Sequence, residues 1–117
     1  MSQEKLILMI AGALIIYFLM SRFAGVSSSK QVAEKLTAGA RVIDVRSPAE
    51  FSAGHYKGSL NIPVEVIGTK ATVLGEKNKP IIVYCASGAR SATAAKILRT
   101  QGFTDVLNAG SIHRLPR

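Results

Sequence analysis

The chain carries a single cysteine and no tryptophan among its 117 residues. One cysteine, Cys85, excludes an internal disulfide, a resolving thiol and any zinc site built from several cysteines. The two histidines, His55 and His113, stand alone, so no protein metal site is expected. Aromatic residues make up only 6% of the chain, and its basic residues form no run of five or six. Neither pattern suits a nucleic-acid surface. Internal repeats and low-complexity tracts are absent as well.

Acidic residues are also few. Seven Asp/Glu face fifteen Lys/Arg, for a net charge of +8. From Ser27 onward the balance is 13 basic against 6 acidic residues, so the excess lies mostly outside the N-terminal segment. A basic surface favours anionic partners such as lipid headgroups or small anionic substrates.

What the chain does have, at its start, is one long apolar run. Leu6 to Met20 holds fifteen residues without a charge. That is short of the roughly twenty residues of a membrane-spanning helix. Extension through Arg22, whose head can snorkel to the interface, to Val26 gives an adequate length. Tyr17 and Phe18 would then sit toward the headgroups. Residues 1–26 are thus read as one N-terminal transmembrane helix, and 27–117 as one small domain of about 90 residues.

A cleaved signal peptide is the rival reading. Against it, Glu4 cancels Lys5 in the leading segment, and cleavage after Ala24 would put Arg22 where a small residue is wanted; cleavage after Ser27 is tolerable. Arg22, Lys30 and Lys35 outweigh Lys5 as flanking charge, which places the domain in the cytoplasm as a single-pass membrane protein. Signal cleavage would place it instead in the periplasm or outside the cell.

The rest alternates between helical and strand patterns. Lys30 to Thr37 reads as a helix capped by Ser28 or Ser29 and ended near Gly39. Arg41 to Val45 reads as a buried strand. Ser47-Pro-Ala-Glu50 is a capping box that opens a short helix ending at Gly54. Ser59 to Ile62 suits an edge strand, and Val64 to Val73 is helical in part. Ile81 to Tyr84 is the clearest strand and Ser91 to Gln101 the clearest helix, closed by Gly102. Asp105 to Leu107 makes a last strand. The alternation predicts an α/β fold with a mainly parallel central sheet flanked by helices.

Chemistry concentrates between the two clearest elements. A buried strand ends at Cys85 and a helix starts at about Arg90 or Ser91. Between them Ala86, Ser87, Gly88 and Ala89 are small, so the backbone can curl and turn several N–H groups toward one centre. The helix N-terminus adds partial positive charge, and Arg90 brings a permanent cation. Such a cradle favours the Cys85 thiolate, which can attack sulfur or phosphorus while the same donors hold the product anion. A cysteine after a buried strand is by base rate only a small core hydrophobe; the loop, the helix start and Arg90 together argue otherwise.

Several motifs in order carry a resemblance. They are Ile43-Asp44-Val45-Arg46; Glu50-Phe51 with Gly54-His55 and Gly58 to Pro63; Val83 to Ser91 around the cysteine; and Gly102-Phe103 with Val106 to Gly110. The chain from about Ser28 to Leu115 resembles a single-domain rhodanese, a thiosulfate or persulfide sulfurtransferase, and its short end resembles the phage-shock-protein E branch. The resemblance implies a rhodanese-like fold, Cys85 as the persulfide-forming nucleophile, and an anion cradle from Ala86, Ser87, Gly88, Ala89, Arg90 and Ser91. Related phosphatases and arsenate reductases have a Cys-x5-Arg loop. Here the spacing is Cys-x4-Arg, which suits a sulfur anion better than a tetrahedral phosphate. Where the family often has two glycines after the last strand, this chain has Ala109-Gly110-Ser111.

Asp44 and Arg46 point to one side under the two-residue period. A supporting ion pair is favoured for them over direct binding of an anionic substrate. His55 is read as a packing residue rather than a general base, and His113 has no motif around it. The expected activity moves a sulfane sulfur from thiosulfate or a persulfide, through Cys85, to a thiol or cyanide, with no metal or organic cofactor. The alternatives are a membrane-tethered anion-binding or sulfur-sensing module with little turnover and, more weakly, a phosphatase or arsenate reductase.

Overall fold

The computed structural model describes residues 2–23 and 25–116, with the side chains of 19–23 excepted. The elements in chain order are α1 (Gln3–Phe23), α2 (Ser29–Thr37), β1 (Arg41–Asp44), α3 (Pro48–Ala53), β2 (Leu60–Asn61) and α4 (Ile67–Lys70). A 3-10 turn (Ala71–Leu74), β3 (Ile81–Cys85), α5 (Ala89–Thr100), β4 (Val106–Ser111) and a closing 3-10 turn (Ile112–Arg114) follow. The strands form one sheet in the order β2-β1-β3-β4, and every pairing is parallel.

The two-residue period of the strands sorts the core onto two faces. Ile43, Ile81, Val83 and Cys85 pack with Ala94 and Leu98 of α5 and with Ile67 of α4. Val42, Ile82 and Tyr84 face the other way, toward Val32 of α2, Leu107 and Leu115. A parallel strand covered on both sides reads as an unbroken apolar run, and β3 is buried at all five positions.

The caps agree with the sequence. Ser28 accepts from the Gln31 N–H at 3.1 Å while its own N–H donates to Gln31 Oε1 at 3.1 Å. Ser47 and Glu50 do the same for α3, at 3.2 Å each way.

The end of β4 and the start of α5 differ from expectation. β4 runs to Ser111 instead of stopping at Leu107, because Asn108, Gly110 and Ser111 pair with Val83, Tyr84 and Cys85 around a bulge. Asn-Ala-Gly has low strand propensity, and the neighbouring strand overrides it. α5 starts at Ala89, two residues before Ser91, because Gly88 takes a left-handed φ of 108° and turns the chain directly into the helix.

At the N-terminus the expected membrane-spanning helix is not supported. Among the described residues, no helix is long and apolar enough to cross a membrane. α1 forms over 21 residues, but its apolar run from Leu6 to Met20 would cover only about 22 Å at 1.5 Å per residue, against a hydrocarbon core of about 30 Å. Leu6, Ile7, Leu8, Met9 and Ile10 are all exposed, so apolar side chains project on every face. Ala24, one of the cleavage points weighed above, and the side chain of Arg22 lie outside the described residues.

Candidate active site: the Cys85 loop

β3 delivers Cys85 to the C-terminal end of the sheet, where open parallel sheets place their ligands. The residue is 0% exposed, and polar donors surround its sulfur. The Gly88 N–H donates to Sγ at 3.0 Å and the Ser91 N–H at 3.4 Å. The Ser91 hydroxyl is 3.4 Å from Sγ and also reaches Gly88 O at 3.1 Å. Burial pushes the Cys85 thiol up, but the Ser91 hydroxyl and the N–H groups of Ser91, Gly88 and Ser87 together outweigh it, and the net shift is downward. Because only the first turn of a helix has free N–H groups, beginning α5 at Ala89 puts the Ser91 N–H where the sulfur can use it.

The Ser91 hydroxyl has one proton and two acceptors within reach. With a neutral thiol, Sγ–H donates to Oγ and the hydroxyl donates to Gly88 O. With a thiolate, the hydroxyl must turn to Sγ. Ser91→Ala removes that donor while keeping the N–H. Alkylation of Cys85 by iodoacetamide, followed against pH, should then show its midpoint at higher pH than in wild type. An unchanged midpoint would mean that the backbone alone holds the thiolate. Linkage follows the same sign. A thiol depressed by folding adds stability in full above its unfolded pKa and loses it as pH falls through the folded one.

The structure brings most of the expected residues together and gives Arg90 a protein partner as well. Its guanidinium already has a carboxylate partner. Nη1 and Nη2 donate to the two carboxylate oxygens of Glu50 at 2.6 and 3.0 Å, in a bidentate pair that ties α5 to α3. Arg90 holds Glu50 down to about 2, with help from the Ser47 N–H and hydroxyl against slight burial. The pair therefore persists at any pH near neutrality. Glu50 thus has a second role beyond its capping box, one that its sequence position did not reveal. Ser87 and Gly88 contribute N–H groups to the sulfur, and Ala86 and Ala89 place small, exposed side chains at the rim.

Asp44 and Arg46 form the brace expected of them. Arg46 donates from Nε and Nη2 to the Asp44 carboxylate at 3.0 and 2.7 Å, and from Nη2 to Gly54 O at 2.6 Å. Tyr84, the neighbour of Cys85, donates its hydroxyl to Asp44 Oδ2 at 2.8 Å and accepts from the Tyr56 N–H at 3.0 Å. This knot fixes the end of β3 from the face opposite the sulfur. Tyr84 and Tyr56 escaped sequence reasoning because their partners lie 40 and 28 residues away. His55 stacks on Phe51 with ring centroids 3.7 Å apart, and its Nδ1 is 2.8 Å from Phe51 O, consistent with a packing role. His113 lies across a separate cavity from His55, beside Tyr56 and Lys57.

Comparison with known proteins agrees with this geometry. The Rhodanese-like domain family matches residues 28–112. The chain is 36% identical over 109 residues to the uncharacterised protein YqhL of Bacillus subtilis (strain 168), covering 90% of this chain and 86% of that one. It is 39% identical over 71 residues to thiosulfate sulfurtransferase PspE of Escherichia coli (strain K12), covering 60% and 68%. Among solved structures, the human single-domain sulfurtransferase TSTD1 superposes with a TM-score of 0.67 at 28% identity, covering 77% of this chain and 93% of that one. A rhodanese with anions from E. coli gives 0.61 at 36%, covering 66% and 94%. The family match spans most of the chain, including the Cys85 loop, and the chain belongs to the rhodanese-like family.

Proposed function

We propose that the protein is a sulfurtransferase that carries sulfane sulfur as a Cys85 persulfide. The observation behind this reading is the ring of N–H and O–H donors that lowers the pKa of a buried, solitary thiol. The thiolate attacks the outer sulfur of thiosulfate. A new S–S bond forms, the old one breaks, and its electron pair leaves with sulfite. A low-molecular persulfide serves in the same way, with a thiolate leaving. The persulfide anion then keeps the same donors, which act best when they are already aimed. An acceptor thiolate or cyanide attacks the outer sulfur and releases Cys85 as thiolate. With no second cysteine, discharge goes to an external acceptor. The four residues between Cys85 and Arg90 leave a small cradle, which favours a sulfur anion over a tetrahedral phosphate.

Intact-mass measurement tests this. Wild type treated with thiosulfate should gain one sulfur atom, which cyanide removes as thiocyanate, and Cys85→Ser should gain none. Should wild type stay unloaded with both thiosulfate and persulfide donors, the anion-binding or sulfur-sensing reading takes its place.

We also propose that α1 inserts its apolar side chains into a bilayer and holds the domain at that surface. A helix apolar on every face has no reason to stand in water. The alignment with YqhL supports a role for this segment. It covers 90% of the chain, more than the stretch after residue 27 can supply, so it extends into α1. In a density gradient, the full chain should float with phosphatidylcholine/phosphatidylglycerol vesicles and resist carbonate extraction, while a chain lacking 2–23 should stay at the bottom. Equal behaviour of the two would remove the anchor.

A further inference from the structure

The cavity between His55 and His113 belongs to the opposite side of the sheet from the Cys85 sulfur. Its apolar lining, Tyr56, Ile112 and Leu115, packs with Tyr84 and Leu107, whereas Cys85 packs toward α5. Lys57 and the two histidines complete the lining, and no acidic residue takes part. The volume is about 530 Å³, inside the range of roughly 300–1,000 Å³ that small-molecule sites occupy. A thiosulfate ion would fill little of it.

The polar groups of this lining are unspent. Elsewhere Lys35, Arg46 and Arg90 meet carboxylates, and Lys77 and Arg99 meet backbone carbonyls. Among the described residues, by contrast, the Lys57 ammonium, the Tyr56 hydroxyl and the His113 ring make no hydrogen bond or ion pair. One unpaired surface lysine is ordinary. Several unpaired donors around one cavity, with no carboxylate among them, form a surface complementary to an anion.

His55 adds a direction. Its Nδ1 is 2.8 Å from Phe51 O. A carbonyl can only accept, so Nδ1 carries the proton, and stacking on Phe51 holds the ring in place. Nε2, at the other end of the ring, has no partner among the described residues. In a neutral ring that atom is a lone pair, and in a charged ring it is a donor. An anion at Nε2 therefore brings a proton onto His55. The titratable and charged groups that face His55 are Tyr56 and Lys57 from the loop after α3 and His113 from the closing turn.

We infer that this cavity binds a small organic anion, a carboxylate on an apolar or aromatic body. The cationic groups take the head, and Tyr56, Ile112 and Leu115 take the body. The site goes beyond the sulfurtransferase reading and stands whether or not Cys85 carries sulfur.

The test uses the full, untagged chain with its histidines isotopically labelled at Cε1. The chain has two histidines, and both line the cavity, so every signal reports on the site. The probe is 3-phenylpropionate. Its amide supplies the same body without charge, and inorganic phosphate supplies charge without a body. At about pH 6, where histidine begins to charge, 3-phenylpropionate should move both signals saturably. It should bind about tenfold or more tightly than either control, the worth of one charge-assisted hydrogen bond. Affinity should fall as the pH is raised toward about 8. Lys57→Met should weaken binding about tenfold with sulfur uptake unchanged, and His55→Gln, whose amide donor does not titrate, should flatten the pH profile. Both side chains are exposed, so the variants should fold. Cys85→Ser should bind as wild type does. Signals that stay still with 3-phenylpropionate, or that move equally with the amide, would overturn the inference. So would loss of binding in Cys85→Ser, which would place the anion at the Cys85 loop instead.

Discussion

Asp44→Asn is expected to cost the domain about 3 kcal/mol and to lower its melting temperature by more than ten degrees, roughly 4–8 °C per kcal/mol at this size. The substitution keeps the shape of the side chain and removes its charge. Arg46 then remains beside β1 with no counter-ion, and Tyr84 loses its acceptor. Breaking one half of a buried pair costs about 3–5 kcal/mol because an uncompensated charge stays behind. The lower figure applies here, since the Arg46 side chain keeps 10% exposure while Asp44 has none. A domain of this length has only about 5–15 kcal/mol to lose. Removing both charges should hurt less than removing one, so Asp44→Asn/Arg46→Met should melt above Asp44→Asn. Thermal denaturation of the three proteins decides the matter. A double variant that melts at or below the single one would show that the knot is held by its hydrogen bonds rather than by charge.

The second large effect belongs to Gly88. Its φ of 108° is a conformation that L side chains rarely adopt, and its N–H is the shortest donor to the Cys85 sulfur. Gly88→Ala should destabilise the domain modestly, by about 1–2 kcal/mol for one left-handed non-glycine residue. Its effect on chemistry should be larger. Any relaxation of the strain turns the N–H away from Sγ, and losing one aimed donor costs about a hundredfold or more in rate. Single-turnover sulfur uptake from thiosulfate, measured well below the melting temperature, should fall accordingly. Iodoacetamide labelling should shift to higher pH in parallel. Uptake at the wild-type rate would mean that Ser91 and Ser87 suffice.

Much of this was legible in the sequence because it is local. β3 announces itself as an unbroken apolar run, α3 by Ser47-Pro48 and Glu50, and the candidate site by small residues between a strand and a helix start. Asp44 and Arg46 were placed on one side by simple alternation. What stayed hidden is long-range. Glu50 looked complete as a capping residue, yet a carboxylate has two oxygens and several lone pairs, and Arg90 from 40 residues away takes both oxygens. Nothing near Arg90 signals that its charge is already matched. The end of β4 was hidden for a related reason. Asn108 to Ser111 is strand only because Val83 to Cys85 offers a partner edge.

The enclosure of Cys85 sets how fast sulfur can pass as well as where. A sulfur atom with no path to solvent cannot meet a donor until the loop from Ala86 to Gly88 parts. Uptake is then a two-step process, opening followed by capture. As donor concentration rises, the rate levels off at the opening frequency, and that ceiling is the same for thiosulfate and for any persulfide. A sulfur stored on Cys85 as proposed would leave under the same limit. Under the proposed function, a cell rich in stray thiols would drain the persulfide no faster than the loop allows, and the domain would meter its cargo by a motion rather than by affinity.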